Sequence, residues 1–210
     1  MPNPLEGAAF LLAAHRVSQL PADTGAEIAF AGRSNAGKSS ALNALTARKS
    51  LARTSRTPGR TQQMVAFALP AAGDGAERRL IDLPGYGYAK VPADLRAHWK
   101  QEIDRYLRSR KSLAGVVLIA DIRHPLKEFD RMMLAFCTAA GLPCQLLLTK
   151  ADKLSRGAAQ QALAAMRREL ARDPGLAADA QVFSAQDGTG VETARAAIAA
   201  LLAGERAATP

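Results

Sequence analysis

A chain of 210 residues with 48% hydrophobic content fits one domain and supplies enough apolar side chain for a full core. Its 28 Lys and Arg against 19 Asp and Glu leave +9 at pH 7, which favours an anionic partner, nucleic acid before a membrane surface. Two cysteines (Cys137 and Cys144) without Cys-x-x-Cys spacing argue against zinc, and no apolar run reaches the length of a membrane span, so a cytoplasmic, reduced, soluble chain is expected.

Taken in order, residues 1–23 read as an N-terminal extension outside the core. Glu27–Ala31 is a short strand running into a glycine-rich turn, and Lys38–Arg48 is a helix opening directly from it, with Leu42 and Leu45 on one side. Met64–Leu69 and Arg79–Leu83 are strands around Asp74-Gly75, a hairpin signal that makes them antiparallel. Pro92–Arg110 is a helix with Leu95, Trp99, Ile103 and Leu107 on one stripe, which puts Trp99 in the core. Leu113–Ala120 and Cys144–Leu148 are continuous apolar runs, as expected of strands covered on both faces. Helices over Leu126–Ala140, Gly157–Arg172 and Val191–Leu202 alternate with these and with a last strand, Ala180–Phe183. Strands alternating with helices imply a mainly parallel sheet between two helical layers, with the domain over 24–203 and a tail at 204–210.

The first turn reads Gly32-Arg33-Ser34-Asn35-Ala36-Gly37-Lys38-Ser39, which matches G-x-x-x-x-G-K-[ST] in the strand–loop–helix context the motif requires. Backbone N–H groups of such a loop and the positive end of the following helix cradle phosphate oxygens. Lys38 brings a cation to the β- and γ-phosphates, and the Ser39 hydroxyl suits Mg²⁺. Asp82-Leu83-Pro84-Gly85 follows one hairpin later. Its Asp supports the metal through bound water, and Gly85 allows a backbone N–H close to the γ-phosphate. Between these lies a polar loop with Pro58-Gly59, in which Thr61, with Thr57 as its rival, closes on Mg²⁺ when the γ-phosphate is present. Lys38, Thr61 and Gly85 are therefore the candidate catalytic groups, and Ser39 and Thr61 the metal ligands.

After the strand Cys144–Leu148 comes Thr149-Lys150-Ala151-Asp152. A carboxylate is acceptor-only and matches the adjacent N1–H and N2–H₂ donors of guanine, whereas adenine would face it with a lone pair. A mismatch of this kind costs about 1–3 kcal/mol per unsatisfied group. Lys150 lays its stem over the base and braces the phosphate loop, and Ser184-Ala185 closes the site with a backbone N–H for guanine O6. The four elements in this order read as a GTP site, and Thr149–Asp152 argues against a P-loop kinase or ATPase.

The segments 32–40, 51–62 and 82–90, with Asp121-Ile122-Arg123-His124 and Thr149–Lys153, resemble the translation-factor-like GTPases and within them the EngB family of bacterial ribosome-biogenesis GTPases, over about residues 24–203. The resemblance implies a three-layer α/β/α P-loop GTPase with a six-stranded mixed sheet and five helices. It implies a role in assembling the large ribosomal subunit, with ribosomal RNA as partner, and in normal cell division and septation. A GTP-dependent scaffold for cell-division proteins is the alternative. Carried over by position, Gly32–Ser39, then Gly59, Arg60, Thr61, Gln62 and Gln63, then Asp82–Gly85, Thr149–Asp152, Phe183, Ser184 and Ala185 contact GTP. The chain departs from the family at Met64-Val65-Ala66-Phe67, where an Asn and aromatics are usual.

Tyr86 stands where Ras-like enzymes place a water-orienting Gln, so slow hydrolysis accelerated by a ribosomal partner is expected. Asn35 stands where related GTPases help bind K⁺. Residues 28–73 hold seven basic residues and no acidic one, a face suited to RNA phosphates when GTP orders the loop. A monomer that does not enter membranes is expected.

Overall fold

The computed structural model describes residues 3–52, 63–71, 75–86 and 93–205, without the side chains of 93–100. Strands β1 (Ala9–Ala14), β2 (Ala26–Gly32), β3 (Met64–Ala68), β4 (Arg78–Asp82), β5 (Leu113–Asp121), β6 (Cys144–Thr149) and β7 (Asp179–Val182) alternate with helices α1 (Lys38–Leu45), α2 (Ala93–Ser109), α3 (Glu128–Ala139), α4 (Arg156–Arg172) and α5 (Val191–Leu202). They form one sheet in the order β1-β3-β4-β2-β5-β6-β7. From β4 to β7 every neighbour is parallel, while β3 runs antiparallel to both β4 and β1.

Both faces of the sheet are covered. Leu42 and Leu45 of α1 and Ala194, Ile198 and Leu201 of α5 pack on one face with Ile28, Phe30, Leu80 and Leu147. Tyr106 of α2, Leu134 and Cys137 of α3 and Leu163 and Met166 of α4 pack on the other with Ala29, Ile81, Leu118 and Leu146. Alternate residues of one strand thus feed opposite cores, which is why β5 and β6 are mostly apolar. Both cysteines are free and buried. The hairpin follows the same rule: Met64 and Ala66 enter one core and Phe67 the other, so the residues that depart from the family pattern are filling both faces. Ile103 and Leu107 pack on the helical stripe, whereas the side chains of Leu95 and Trp99 lie outside the described ones.

Three expectations are corrected. The sheet has seven strands and not six, because Ala9–Ala14 pairs with β3, and the segment before it is not outside the core: Leu5 and Ala8 are fully buried. That segment is tied to α1, since the Asn3 amide donates to the Leu45 carbonyl (3.1 Å) and Arg48 donates to the Ala8 carbonyl (2.9 Å). The helix from Lys38 also stops at Leu45 rather than Arg48. The buried Thr46 hydroxyl turns back to the Leu42 carbonyl, Ala47 takes φ +55, and Arg195 of α5 donates to the carbonyls of Ala44 and Leu45. Those bonds take the terminal carbonyls that another helical turn would have used.

Candidate nucleotide site

All five parallel strands point their carboxyl ends to one rim, where the loops after β2, β4, β5, β6 and β7 meet. Gly32 ends β2 so close to β5 that a Cβ would stand 2.7 Å from the Ile119 carbonyl oxygen, so this glycine is required by strand packing as well as by any ligand. Beyond it, Arg33 bridges Tyr86, and the Ser34 N–H donates to the Tyr86 carbonyl at 2.9 Å, which carries the β2–β4 pairing into the two loops. Asn35 (φ +61) and Gly37 (φ +100) are both left-handed. They reverse the chain around Ala36 so that α1 begins at Lys38, with no acidic side chain in its first turn to occupy its positive end. This is the geometry of a backbone anion cradle.

Lys38 and Asp82 are both buried and form an ion pair across the base of the cradle. Burial pushes the Asp82 carboxyl above the usual carboxylate range, and the Lys38 ammonium opposes that shift. Leu83, Pro84 and Gly85 are buried as well, with the Leu83 N–H bonded to the Phe30 carbonyl at 3.0 Å. Tyr86 turns away from the cradle: its hydroxyl donates to Asp130 of α3 at 2.6 Å and its ring lies 5.7 Å from that of Phe129.

The loop after β6 is fastened to the cradle. The Thr149 hydroxyl lies within hydrogen-bond reach of the carbonyls of both Ala36 and Ala120, and the Lys150 ammonium donates to the Asn35 carbonyl at 2.6 Å. Asp152 accepts from the Ser184 hydroxyl (2.8 Å) and pairs with Lys153 (3.0 Å), which together hold its carboxyl below its ordinary value, the Ser184 bond contributing most. Ala151 N–H donates to the Phe183 carbonyl at 3.2 Å, which joins the loops after β6 and β7. The Phe183 side chain is itself core.

A cavity of about 590 Å³ opens between these loops and α1, lined among others by Gly37, Ser40, Lys150, Asp152 and Ala185. The structure therefore brings together the phosphate loop, Asp82 and both base-recognition segments. Gln63 stands apart from that cavity, its amide 2.9 Å from His15 Nε2. Gly59, Arg60, Thr61 and Gln62, and the rival Thr57, lie outside the described residues. The residue reading missed two contributors. Asn43 clamps the chain after α1 by donating to the Ala52 carbonyl and accepting from the Ala52 N–H (2.9 and 2.8 Å). Asp121 pairs with Lys150 at 2.9 Å. The available signal for Asp121 was a lone carboxylate closing an otherwise apolar strand.

Set beside known proteins, residues 27–150 match the family described as 50S ribosome-binding GTPase. The chain is 57% identical to a probable GTP-binding protein EngB of Stenotrophomonas maltophilia over 194 residues, covering 92% of this chain and 94% of that one. It is 55% identical to the protein of the same name in Xylella fastidiosa, covering 91% and 92%. Among solved structures, a probable GTP-binding protein EngB aligns with TM-score 0.65 at 22% identity, over 85% of this chain and 99% of that one. Era in complex with MgGDPNP and nucleotides 1506–1542 of 16S ribosomal RNA aligns with TM-score 0.67 at 20% identity, over 89% and 59%. At such identities these two likenesses speak to the fold.

Proposed function

The chain belongs to the EngB family of P-loop GTPases and is a GTP hydrolase, and from that premise we propose that it is a Mg²⁺-dependent switch in assembly of the large ribosomal subunit, through which it supports cell division and septation. It works as a cytoplasmic monomer. The observation that carries the nucleotide part is the convergence on one rim of the Lys38–Asp82 pair, the left-handed phosphate loop and the Asp152–Ser184 pair.

The residue roles follow from that placement. Gly32–Ser39 wrap the phosphates, Asp152 accepts from N1–H and N2–H₂ of guanine, and the Ala185 N–H donates to O6. The Ser39 hydroxyl and the buried Asp82 carboxylate are hard oxygen donors, which is the chemistry Mg²⁺ takes, and with the Thr61 hydroxyl they would hold the ion. The ion, when bound, neutralises charge on the β- and γ-phosphates. Lys38 and the Gly85 N–H then stabilise charge on the transferring group. The Tyr86 hydroxyl is committed to Asp130, so the side chain at this position is not free to orient water. Slow intrinsic hydrolysis follows, raised by the ribosomal partner. Asn35, exposed on the phosphate loop, is a K⁺ ligand in this scheme, and hydrolysis is accordingly faster in K⁺ than in Na⁺; equal rates would remove that role.

Support for the ribosomal part comes from the family description matched over residues 27–150 and from the seven basic residues, without an acidic one, in 28–73. Co-sedimentation with purified large subunits tests it. Association is expected to be stronger with a non-hydrolysable GTP analogue than with GDP and to fall steeply with salt. Equal pelleting in both nucleotides, insensitive to salt, would contradict it.

A further inference from the structure

The end of β5 carries two charged side chains, Asp121 and Arg123, to which no nucleotide motif gives a role. Asp121 is the last residue of that strand and stands in register with Thr149 on β6. Its carboxylate takes a forked pair of bonds from Arg123, Nε to Oδ1 at 2.9 Å and Nη2 to Oδ2 at 2.7 Å, and also accepts the Arg123 backbone N–H at 3.1 Å. Oδ2 of the same carboxylate lies 2.9 Å from the Lys150 ammonium. That ammonium also donates to the Asn35 carbonyl of the phosphate loop. One lysine head group thus joins three loops that sequence holds far apart.

We propose that Asp121 is a positioning residue for guanine-nucleotide binding, with Arg123 orienting its carboxylate, so that Lys150 is held between the base loop and the phosphate loop. Lys150 needs such a hold. It occupies the left-handed region (φ +61), which a side chain of this size adopts only under constraint, and it immediately precedes the short turn that presents Asp152. Fixing both ends of Lys150, its backbone by the turn and its ammonium by Asp121 and Asn35, removes the alternative conformers that would let Asp152 drift. The pair is half sheltered, with side-chain exposures of 30% for Lys150 and 15% for Asp121, so water screens it less than a surface pair. Burial acts to raise the Asp121 carboxyl, but the Arg123 and Lys150 bonds outweigh it and hold the group well below the ordinary value, so it stays ionised across the working range. The consequence is a mechanical link: a change that pulls the phosphate loop moves the ammonium, and with it the base-reading loop.

This inference rests on the proposed placement of guanine against Lys150 and Asp152, and the test separates the two. GDP affinity and dissociation rate are measured by calorimetry and stopped flow for the full chain, Asp121→Asn, Lys150→Met and the double variant. Asp121→Asn is expected to weaken GDP about tenfold, mainly through faster dissociation, and to add nothing in the Lys150→Met background. The exposed Arg123→Ala, which leaves the fold's core untouched, is expected to weaken GDP about threefold with the same dependence on Lys150. A loss of equal size with and without Lys150, or wild-type affinity in Asp121→Asn, would overturn the inference. Wild-type affinity in Lys150→Met would overturn it as well, because the ammonium is the group that Asp121 holds, whereas unchanged GDP affinity in Asp152→Asn would instead overturn the nucleotide placement on which it stands.

Discussion

Lys38 and Asp82 form the most heavily buried charge pair of the site, and each depends on the other. Replacing Lys38 with Met strands a carboxylate beneath the phosphate loop, at a cost of about 3–5 kcal/mol in protein without added nucleotide. The folded-state pKa of Asp82 then rises further above 3.8, so the folded state binds a proton that the unfolded state does not. The variant should accordingly regain stability as pH falls from 8 toward 5, and urea unfolding at several pH values checks this. A second side-chain prediction concerns Tyr86, whose hydroxyl is one of two donors to the buried Asp130, the other being the Lys127 N–H at 3.0 Å. Tyr86→Phe should cost about 1–3 kcal/mol, measured by the same unfolding, while GDP binding changes little. The residues of this site were legible in sequence where chemistry forces a local pattern: a phosphate loop needs its glycines and its Lys within eight positions, and a carboxylate that reads guanine sits next to the lysine that braces it. The roles of Asp121 and Asn43 were not, because Lys150 lies 29 residues from Asp121 and Ala52 lies 9 from Asn43, and contact at such distances leaves no spacing rule.

Elements are pinned on the side of the sheet away from the nucleotide. Glu27, fully buried at the start of β2, accepts from Arg79 of β4 at 2.9 Å, from Arg110 at 2.7 and 3.0 Å, and from the Tyr106 hydroxyl of α2 at 3.1 Å. This cluster fixes the carboxyl end of α2, the helix that follows the Asp82–Gly85 loop. Glu27→Gln removes the charge that two buried guanidinium groups face and should lower stability by about 3–5 kcal/mol in chemical unfolding. Nearby, Asp23 accepts the N–H groups of Lys111 (3.0 Å) and Ser112 (2.9 Å) and the Ser112 hydroxyl (2.7 Å). Burial works against its charge, but those bonds and the Arg110 guanidinium bring it down from 3.8 to about 2. A depressed carboxyl stabilises the fold above its unfolded value, so the contribution is complete at neutral pH and fades between about pH 4 and pH 2. The stability gap between the wild type and Asp23→Ala should therefore be larger at pH 6 than at pH 2.5. The central strands β5 and β6 were readable because burial on both faces leaves long apolar runs. The first strand was not, since Ala9–Ala14 is largely exposed at the sheet edge and its pairing with β3 is decided by the hairpin it lies against. The α1 end was misread for a similar reason: Arg195, which takes its last carbonyls, arrives from the far end of the chain.

For the molecule as a whole, the account joins a basic surface to a pocket that tells one purine from another. The net charge of +9 favours a polyanionic partner, and under the proposed function the nucleotide in the pocket governs that encounter. The proposed discriminating step is the recognition of guanine by Asp152, whose carboxyl the Ser184 bond and Lys153 hold below its ordinary value. It is tested most directly by titration calorimetry of the wild type and Asp152→Asn with GDP, ADP and xanthosine diphosphate in Mg²⁺. The account predicts that the wild type binds GDP and gives no heat with ADP, whereas Asp152→Asn loses GDP by at least about 10²-fold and gains xanthosine diphosphate, whose 2-oxo group accepts from the new amide. Comparable affinity of the wild type for GDP and ADP, or an Asp152→Asn variant that still prefers GDP, would contradict it.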